Sequence, residues 1–465
     1  MSTGLAPAAL KIVWSPISGT RFREEREYWY FRLFQDELAF ELSSGFESTL
    51  WSRLVLQAAD SQPIFQLTVA TAALRQAARM PLPHELDMAV SHRQYALLQY
   101  GVALKGLQKV VLGGQNSLRI ALISSLLIFC FENMLSDRER AVRNIQSALD
   151  VIHEQLAHQN KNSTHLQLNQ LSIPIEEEIL SAFMRLDRPA VALLGRIDNA
   201  SAPLTNRRFG STFQSSTYTI PSKFTSITEA RKALEHIRYR ILPKNPPDTK
   251  LRTSFTPPED TPHPVAHLLK SFSVAATYDD CDELIAQLEE WHRAFEKLFE
   301  FAKSKAGEEI YMTAETMHIQ ALSLGILLRG FSPYGTNFDH PLRTSSYNQG
   351  LGPPHECRMN FHLLQRTPSS FSLPSFIAAQ KILSHSHNLV RHPKFTKSFV
   401  FDAGIIPSLW IIIMLCPDRE LKQEATAILR SMDGRVECVW DSRTVAETGE
   451  KALAMMEGRE VAVGG

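Results

Sequence analysis

Apolar residues in this chain recur three and four positions apart, segment after segment, and no long run alternates apolar with polar. The first spacing lines one face of an α-helix, whereas alternation would line one face of a strand. The chain therefore reads as all-α and multi-helical, in two helical halves joined by a Pro/Ser-rich linker. Ile64, Leu67, Thr71, Leu74 and Ala78 line one helix, with Pro63 just ahead of it, where a missing N–H does no harm. Residues 121–131 are apolar all round, as a central buried helix must be. Residues 138–156 carry a stripe of Ala141, Ile145, Ala148, Leu149, Ile152 and Leu156 opposite Arg138, Glu139, Arg143 and Glu154. A polar break is expected at 157–170. Pro174 then begins a helix with Glu176, Glu177 and Glu178 in its first turn, where the dipole favours carboxylates. That helix is expected to stop at Asp187–Arg188, before Pro189.

Residues 207–264 hold Pro221, Pro243, Pro246, Pro247, Pro257, Pro258, Pro262 and Pro264. They read as a linker with one helix inside it. Ser226 and Glu229 give that helix a capping box, and Ala230, Leu234, Ile237 and Ile241 its stripe. The expected organisation is a disordered N-terminus (1–20), an N-terminal helical half (21–206), the linker (207–264), a C-terminal helical half (265–458) and a disordered tail (459–465). In the second half a helix is expected over 264–276. Asp282 should then cap a helix with Leu284, Ile285, Leu288, Trp291, Phe295, Leu298 and Phe299 on its inner face. Further helices are expected at 314–328, 374–391, 406–416 and 417–432, around a loop at 330–370.

Lys plus Arg number 49 and Asp plus Glu 49. This balance argues against the broad positive face that nucleic acid requires. The five cysteines, Cys130, Cys281, Cys357, Cys416 and Cys438, are widely spaced, and no two are separated by two residues. A zinc ribbon, finger or knuckle cannot be drawn from them, and a reducing compartment is expected. Residues 1–19 lack a basic head before an apolar run, so no signal peptide is expected. The longest apolar runs, 121–131 and 405–416, fall short of the roughly 18 residues that span a bilayer.

Sharp chemical motifs are missing. Gly350-Leu351-Gly352 lacks the third glycine of a phosphate loop, and no Gly-x-Ser-x-Gly elbow occurs. His385 and His387 are two apart, so on a helix they face different ways; His392 follows, and His263 and His267 flank Pro264. Solvated or capping roles suit them better than metal binding. Asp279, Asp280, Asp282 and Glu283 suit a charged first helical turn rather than a cation site. Trp291, Phe295 and Phe299 suit core packing rather than a ligand pocket. Arg231, Lys232, Arg238, Arg240 and Lys244 are diluted by Glu229 and Glu235 and read as a solvated face rather than a nuclear-import or phosphate-binding patch. No catalytic, cofactor-binding, metal-binding or DNA-binding residue is assigned, and no cofactor is expected.

Several segments in order resemble the regulatory region of fungal zinc-cluster transcription factors. The first begins at Arg23, where an aromatic-rich helix precedes Phe46, Ser48, Trp51, Val55, Leu56 and Gln57. Gln62-Pro63 stands where Glu-Pro is expected. The second, LLIFCFENMLSDRERAVRNIQSALDVI, resembles the family's paired helices, and Phe183, Arg185, Leu186 and Asp187 its Phe-x-Arg-Leu-Asp ending. The last resembles its closing helices through Phe401, Asp402, Ile406, Pro407, Cys416, Arg419, Glu424, Ala425, Leu429, Glu437, Trp440 and Asp441. Here Glu437-Cys438 replaces the usual Glu-Gly. The resemblance covers roughly residues 22–457.

The resemblance implies an all-α scaffold in the nucleus that gates transcription, for instance of secondary-metabolism genes. Its partners would be other transcription factors or co-regulators, with a small effector as a further candidate. The family's six N-terminal cysteines bind two zinc ions and present a helix to the major groove. The first cysteine here is Cys130, inside an apolar run, and no heptad segment precedes Arg23. Specific DNA binding is therefore not expected from this chain alone, and neither a membrane role nor an enzymatic one is expected. The alternatives are a helical small-molecule-binding module and a helical enzyme.

Overall fold

The computed structural model describes residues 22–43, 49–80, 85–112, 117–162, 176–194, 219–240, 278–331 and 371–463. Helices dominate them. The first group is α1 (Glu25–Leu33), α2 (Ala39–Ser43), α3 (Val55–Ala58), α4 (Gln62–Ala78), α5 (Leu86–Leu112), α6 (Ser117–Met134), α7 (Arg138–Asn162) and α8 (Glu177–Leu194). The second is α9 (Ile227–Arg240), α10 (Tyr278–Lys303), α11 (Tyr311–Phe331), α12 (Leu373–Arg391), α13 (Ile406–Leu415), α14 (Arg419–Ser431) and α15 (Ser442–Val463). Widened π turns at Phe34–Leu38 and Leu50–Leu54 lead into α2 and α3. No helix of the described residues is long and apolar enough to cross a membrane.

Burial follows from which helices can be covered on all sides. α4 is buried at every position from Pro63 to Leu74, so its stripe is part of a wholly enclosed surface. Its alanines let neighbours approach, and Thr68 and Thr71 donate their hydroxyls to Phe65 O and Leu67 O, each at 2.7 Å. Buried hydroxyls thereby keep partners and cost little. α6 and α13 are likewise apolar cores, while α7 buries Ala141, Ile145, Ala148, Leu149 and Ile152 on one side. Between α6 and α7, Ser136 adopts φ 65° and lets Asp137 N–H reach Glu132 O at 2.9 Å, the left-handed helix ending that satisfies orphan carbonyls. Asp137 then accepts from Arg140 N–H at 3.1 Å and starts α7.

Two hydrophobic clusters result. The larger takes residues from α1 through α8 and from α11 through α15, so it draws on both sides of the 207–264 segment. The smaller joins α9, α10 and α11 around Trp291, whose indole N–H donates to Ala230 O at 2.8 Å. α11 is the shared wall: Ala314, Met317 and Ala321 face the smaller cluster, Ile319, Ile326 and Leu327 the larger.

A three-stranded sheet of two-residue strands sits among the helices. β1 (Phe399–Val400) runs parallel to β2 (Val436–Glu437), which pairs antiparallel with β3 (Trp440–Asp441). Strands this short show no alternation, so periodicity could not reveal them. Glu437, fully buried, uses Oε2 to accept from Gly404 N–H at 2.9 Å and Ile406 N–H at 2.8 Å. It thus caps α13, whose own N-cap, Ile405, has no side chain able to do so. Its Oε1 accepts from Arg435 Nε at 2.7 Å.

Several expectations need correction. α7 continues to Asn162, so residues 157–162 belong to a helix rather than to the polar break. α8 runs through Pro189 to Leu194; one lost amide donor bends a helix without having to end it. α10 begins at Tyr278, one turn before Asp282, which is therefore inside the helix rather than its cap. Pro417 precedes α14, and Asp418 caps it by accepting from Leu421 N–H at 2.9 Å. The capping box of α9 is displaced: Ser226 Oγ accepts from Glu229 N–H, but Glu229 accepts from Thr225 N–H, one residue earlier than Ser226. The backbone of 459–463 extends α15 instead of forming a disordered tail, in keeping with its Arg, Glu and Ala content. The N-terminus (1–20), the expected helix at 264–276 and most of the 330–370 loop lie outside the described residues.

A Cβ added at Gly404 would lie 2.4–2.9 Å from the Glu437 carboxylate. Gly404→Ala should destabilise the fold by about 2 kcal/mol, the scale of overpacking combined with a weakened buried cap. Urea denaturation monitored by circular dichroism measures it.

Candidate functional site

Three elements converge on Asp402, which follows β1 and is 5% exposed. Arg185 from α8 gives its Nε to Oδ1 at 2.7 Å, and Arg231 from α9 gives a terminal nitrogen to Oδ2 at 3.0 Å. Ser181 Oγ accepts from Arg185 at 2.8 Å, and Glu235 accepts from Arg231 at 3.1 Å. Burial would raise the Asp402 carboxyl, but the facing Arg185 and Arg231 outweigh it and hold it below its usual range. Both guanidiniums are therefore matched to an ionised partner, as buried charge requires.

A cavity of about 40 Å³ opens beside this network, lined by Arg185, Arg231, Arg238, Asp402, Gln320 and Cys438 among others. That is room for on the order of three waters or one small polar group. Arg238 donates to Gln320 Oε1 at 3.1 Å, and Gln320 donates to Ala403 O at 2.8 Å. Cys438 sits in the β2–β3 turn at φ 57°, and burial pushes its thiol up, away from the reactive thiolate. The lining thus mixes the paired charges of Arg185, Arg231, Asp402 and Glu235 with the amide of Gln320.

Some of the residues quoted for the resemblance meet around this point although they lie far apart in sequence, while Phe46 and Ser48 lie outside the described residues. Phe401 packs against Trp51 (ring centroids 5.0 Å) and Phe129 (5.8 Å). Arg138 pairs with Asp441 at 2.7 Å, and Asp441 accepts from Arg443 N–H at the start of α15. Cys130, Cys281, Cys416 and Cys438 are buried; Cys357 lies outside the described residues.

The histidines divide. His385 donates Nδ1–H to buried Glu315 at 2.8 Å, whereas His387 meets Glu424 at 3.1 Å on the other side of α12. His392 accepts from Lys394 N–H at 3.3 Å. His263 and His267 fall outside the described residues. Among those described, no group of three His, Cys, Asp or Glu could hold a metal. What the sequence did not disclose is a ring cluster: His318 stacks on Phe299 at 4.5 Å and touches His385 (4.8 Å) and His292 (5.5 Å). Burial pushes His292 down to about 4 and His318 down to about 3, the latter with further repulsion from His385 and His292. No signal short of the helix packing could have joined residues on α10, α11 and α12.

The basic run on α9 is only partly a solvated face. Arg231 turns inward to Asp402, while Lys232 pairs with exposed Glu177 at 2.7 Å and Arg240 with Glu283 at 2.9 Å. A solvated face was expected because the acid that draws Arg231 inward is remote in sequence. Glu283 thus gives the acidic cluster a basic neighbour, and the side chains of Asp279 and Asp280 are outside what is described. Trp291, Phe295 and Phe299 stack successively at 4.4 and 5.8 Å inside the smaller core. Lys244 lies outside the described residues.

No protein-family profile matches this chain, and no curated protein or solved structure is significantly similar to it.

His292 and His318 stay neutral in the fold well below the pH at which an unfolded histidine charges. Their contribution to stability is complete above about pH 6.5 and is lost as pH falls toward their folded values. His318→Phe keeps a ring against Phe299 and should remove about 2 kcal/mol of the destabilisation that the wild type suffers between pH 7 and pH 5. Urea midpoints at the two pH values give the comparison.

Proposed function

We propose that this chain is a transcription regulator of the fungal zinc-cluster type, working in the nucleus through protein–protein or effector binding. What supports the reading is the set of residues quoted for the resemblance. Trp51 packs on Phe401, Arg185 pairs with Asp402, and Glu437 caps the helix that follows, so quoted residues from distant segments make buried contacts with one another or with the same segment. A scaffold held this way presents helical surfaces to partners. The six-cysteine zinc module has no counterpart in this sequence, so sequence-specific duplex contacts are not part of the proposal. The cavity beside Asp402 favours a second, compatible reading, in which a small polar effector binds there.

The test is tethering. Fused to an unrelated DNA-binding domain, the chain should change a reporter's output several-fold over that domain alone, and the purified chain should not retard a specific duplex at physiological salt. An inert fusion, or a specific gel shift by the chain itself, would contradict the proposal.

A further inference from the structure

α5 is two-faced in an unusual way. Its inner side buries Tyr95, Ala96, Tyr100 and Ala103 against the core. The helix as a whole carries half of the exposed large apolar side chains among the described residues, and four of them fall near one line on its outer side, which should be polar on a solvated helix. Val90, Leu97 and Leu104 are 45%, 44% and 38% exposed and recur every seven residues. They therefore lie within about 20° of one line along the helix. Leu86 falls on the same line, one turn earlier.

Gly101 stands beside this line, about 40° away. A Cβ placed there would meet nothing within 4 Å. Glycine inside an exposed helix costs about 1 kcal/mol relative to alanine. No contact among the described residues requires it, but it lets another helix approach closely.

Charge selects the occupant. Asp87 and Lys105 are both exposed, and they stand 18 residues apart. That is about five turns at 3.6 residues each, so they share one flank of the apolar line. Neither has an ion-pair partner among the described residues. If two copies of α5 pack antiparallel with Leu97 at the two-fold axis, Val90 of each meets Leu104 of the other. Lys105 and Asp87 lie about 12 and 15 Å from that axis on opposite sides, at 1.5 Å per residue. The pairing brings each Lys105 beside the other copy's Asp87. The apolar register and the charge register thus agree to about one residue. A parallel two-fold pairing would instead put like charges at the same level on opposite flanks and form neither pair.

We propose that the outer face of α5 is a self-association surface, occupied by α5 of a second copy in an antiparallel, two-fold arrangement. Such an isologous contact uses one patch twice and closes on itself. The proposal stands whether or not the chain regulates transcription.

Sedimentation velocity of the full chain over a dilution series tests it. The wild type should show a monomer–dimer equilibrium, and Leu97→Asp should be monomeric throughout, with unchanged circular dichroism because Leu97 is exposed. Asp87→Lys and Lys105→Asp should each weaken the dimer about tenfold, through two symmetry-related pairs. The double reversal should recover most of that loss, since it rebuilds both pairs. A wild type that stays monomeric, with this face covered by another segment of its own chain or left open, overturns the proposal. So does a dimer indifferent to Leu97→Asp, or a double reversal no better than the single changes.

Discussion

A buried carboxylate facing two guanidiniums makes the assembly of this fold conditional. Asp402 sits at the meeting of α8, α9 and the segment leaving β1, with Arg185 217 residues away in sequence and Arg231 171 away. None of these charges could be enclosed alone. Desolvation would cost several kcal/mol per ion, and it is offset only when all three are in place with their side bonds to Ser181 and Glu235. The apolar surfaces around them supply the larger share of the driving force, but they tolerate sliding. The ion network does not, so it fixes the register in which α8 and α9 meet the closing helices.

The same logic repeats at smaller scale. Glu437 holds the start of α13 and the Gly404 amide; Asp441 ties α7 to the start of α15. Each is a polar group satisfied on several sides, and each joins elements remote in sequence. The larger core is accordingly continuous across the 207–264 segment, and α11 links it to the smaller one.

How much of this could be read beforehand follows from range. The α7 stripe from Ala141 to Ile152 depends on neighbours three and four residues apart, and it is visible in the sequence. So are the proline-led starts of α4, α12 and α13. Helix ends were less legible, since Pro189 and Asp282 are ambiguous punctuation. Arg231 looked like one member of a solvated basic run because Asp402, which turns it inward, is a long-range partner. The His292–His318–His385 cluster was hidden for the same reason. Asp402 and Glu437 drew notice only through the resemblance, which gave them no physical role.

The contribution of Asp402 can be measured by substitution for volume rather than charge. Asp402→Leu alone should cost about 3–5 kcal/mol, because it strands two guanidiniums in the interior. Adding Arg185→Met and Arg231→Met should restore most of that stability, as an apolar replacement of the entire network does when packing is kept. A single change that is neutral in urea denaturation, or a triple variant no more stable than Asp402→Leu, would show that this network does not join the helices.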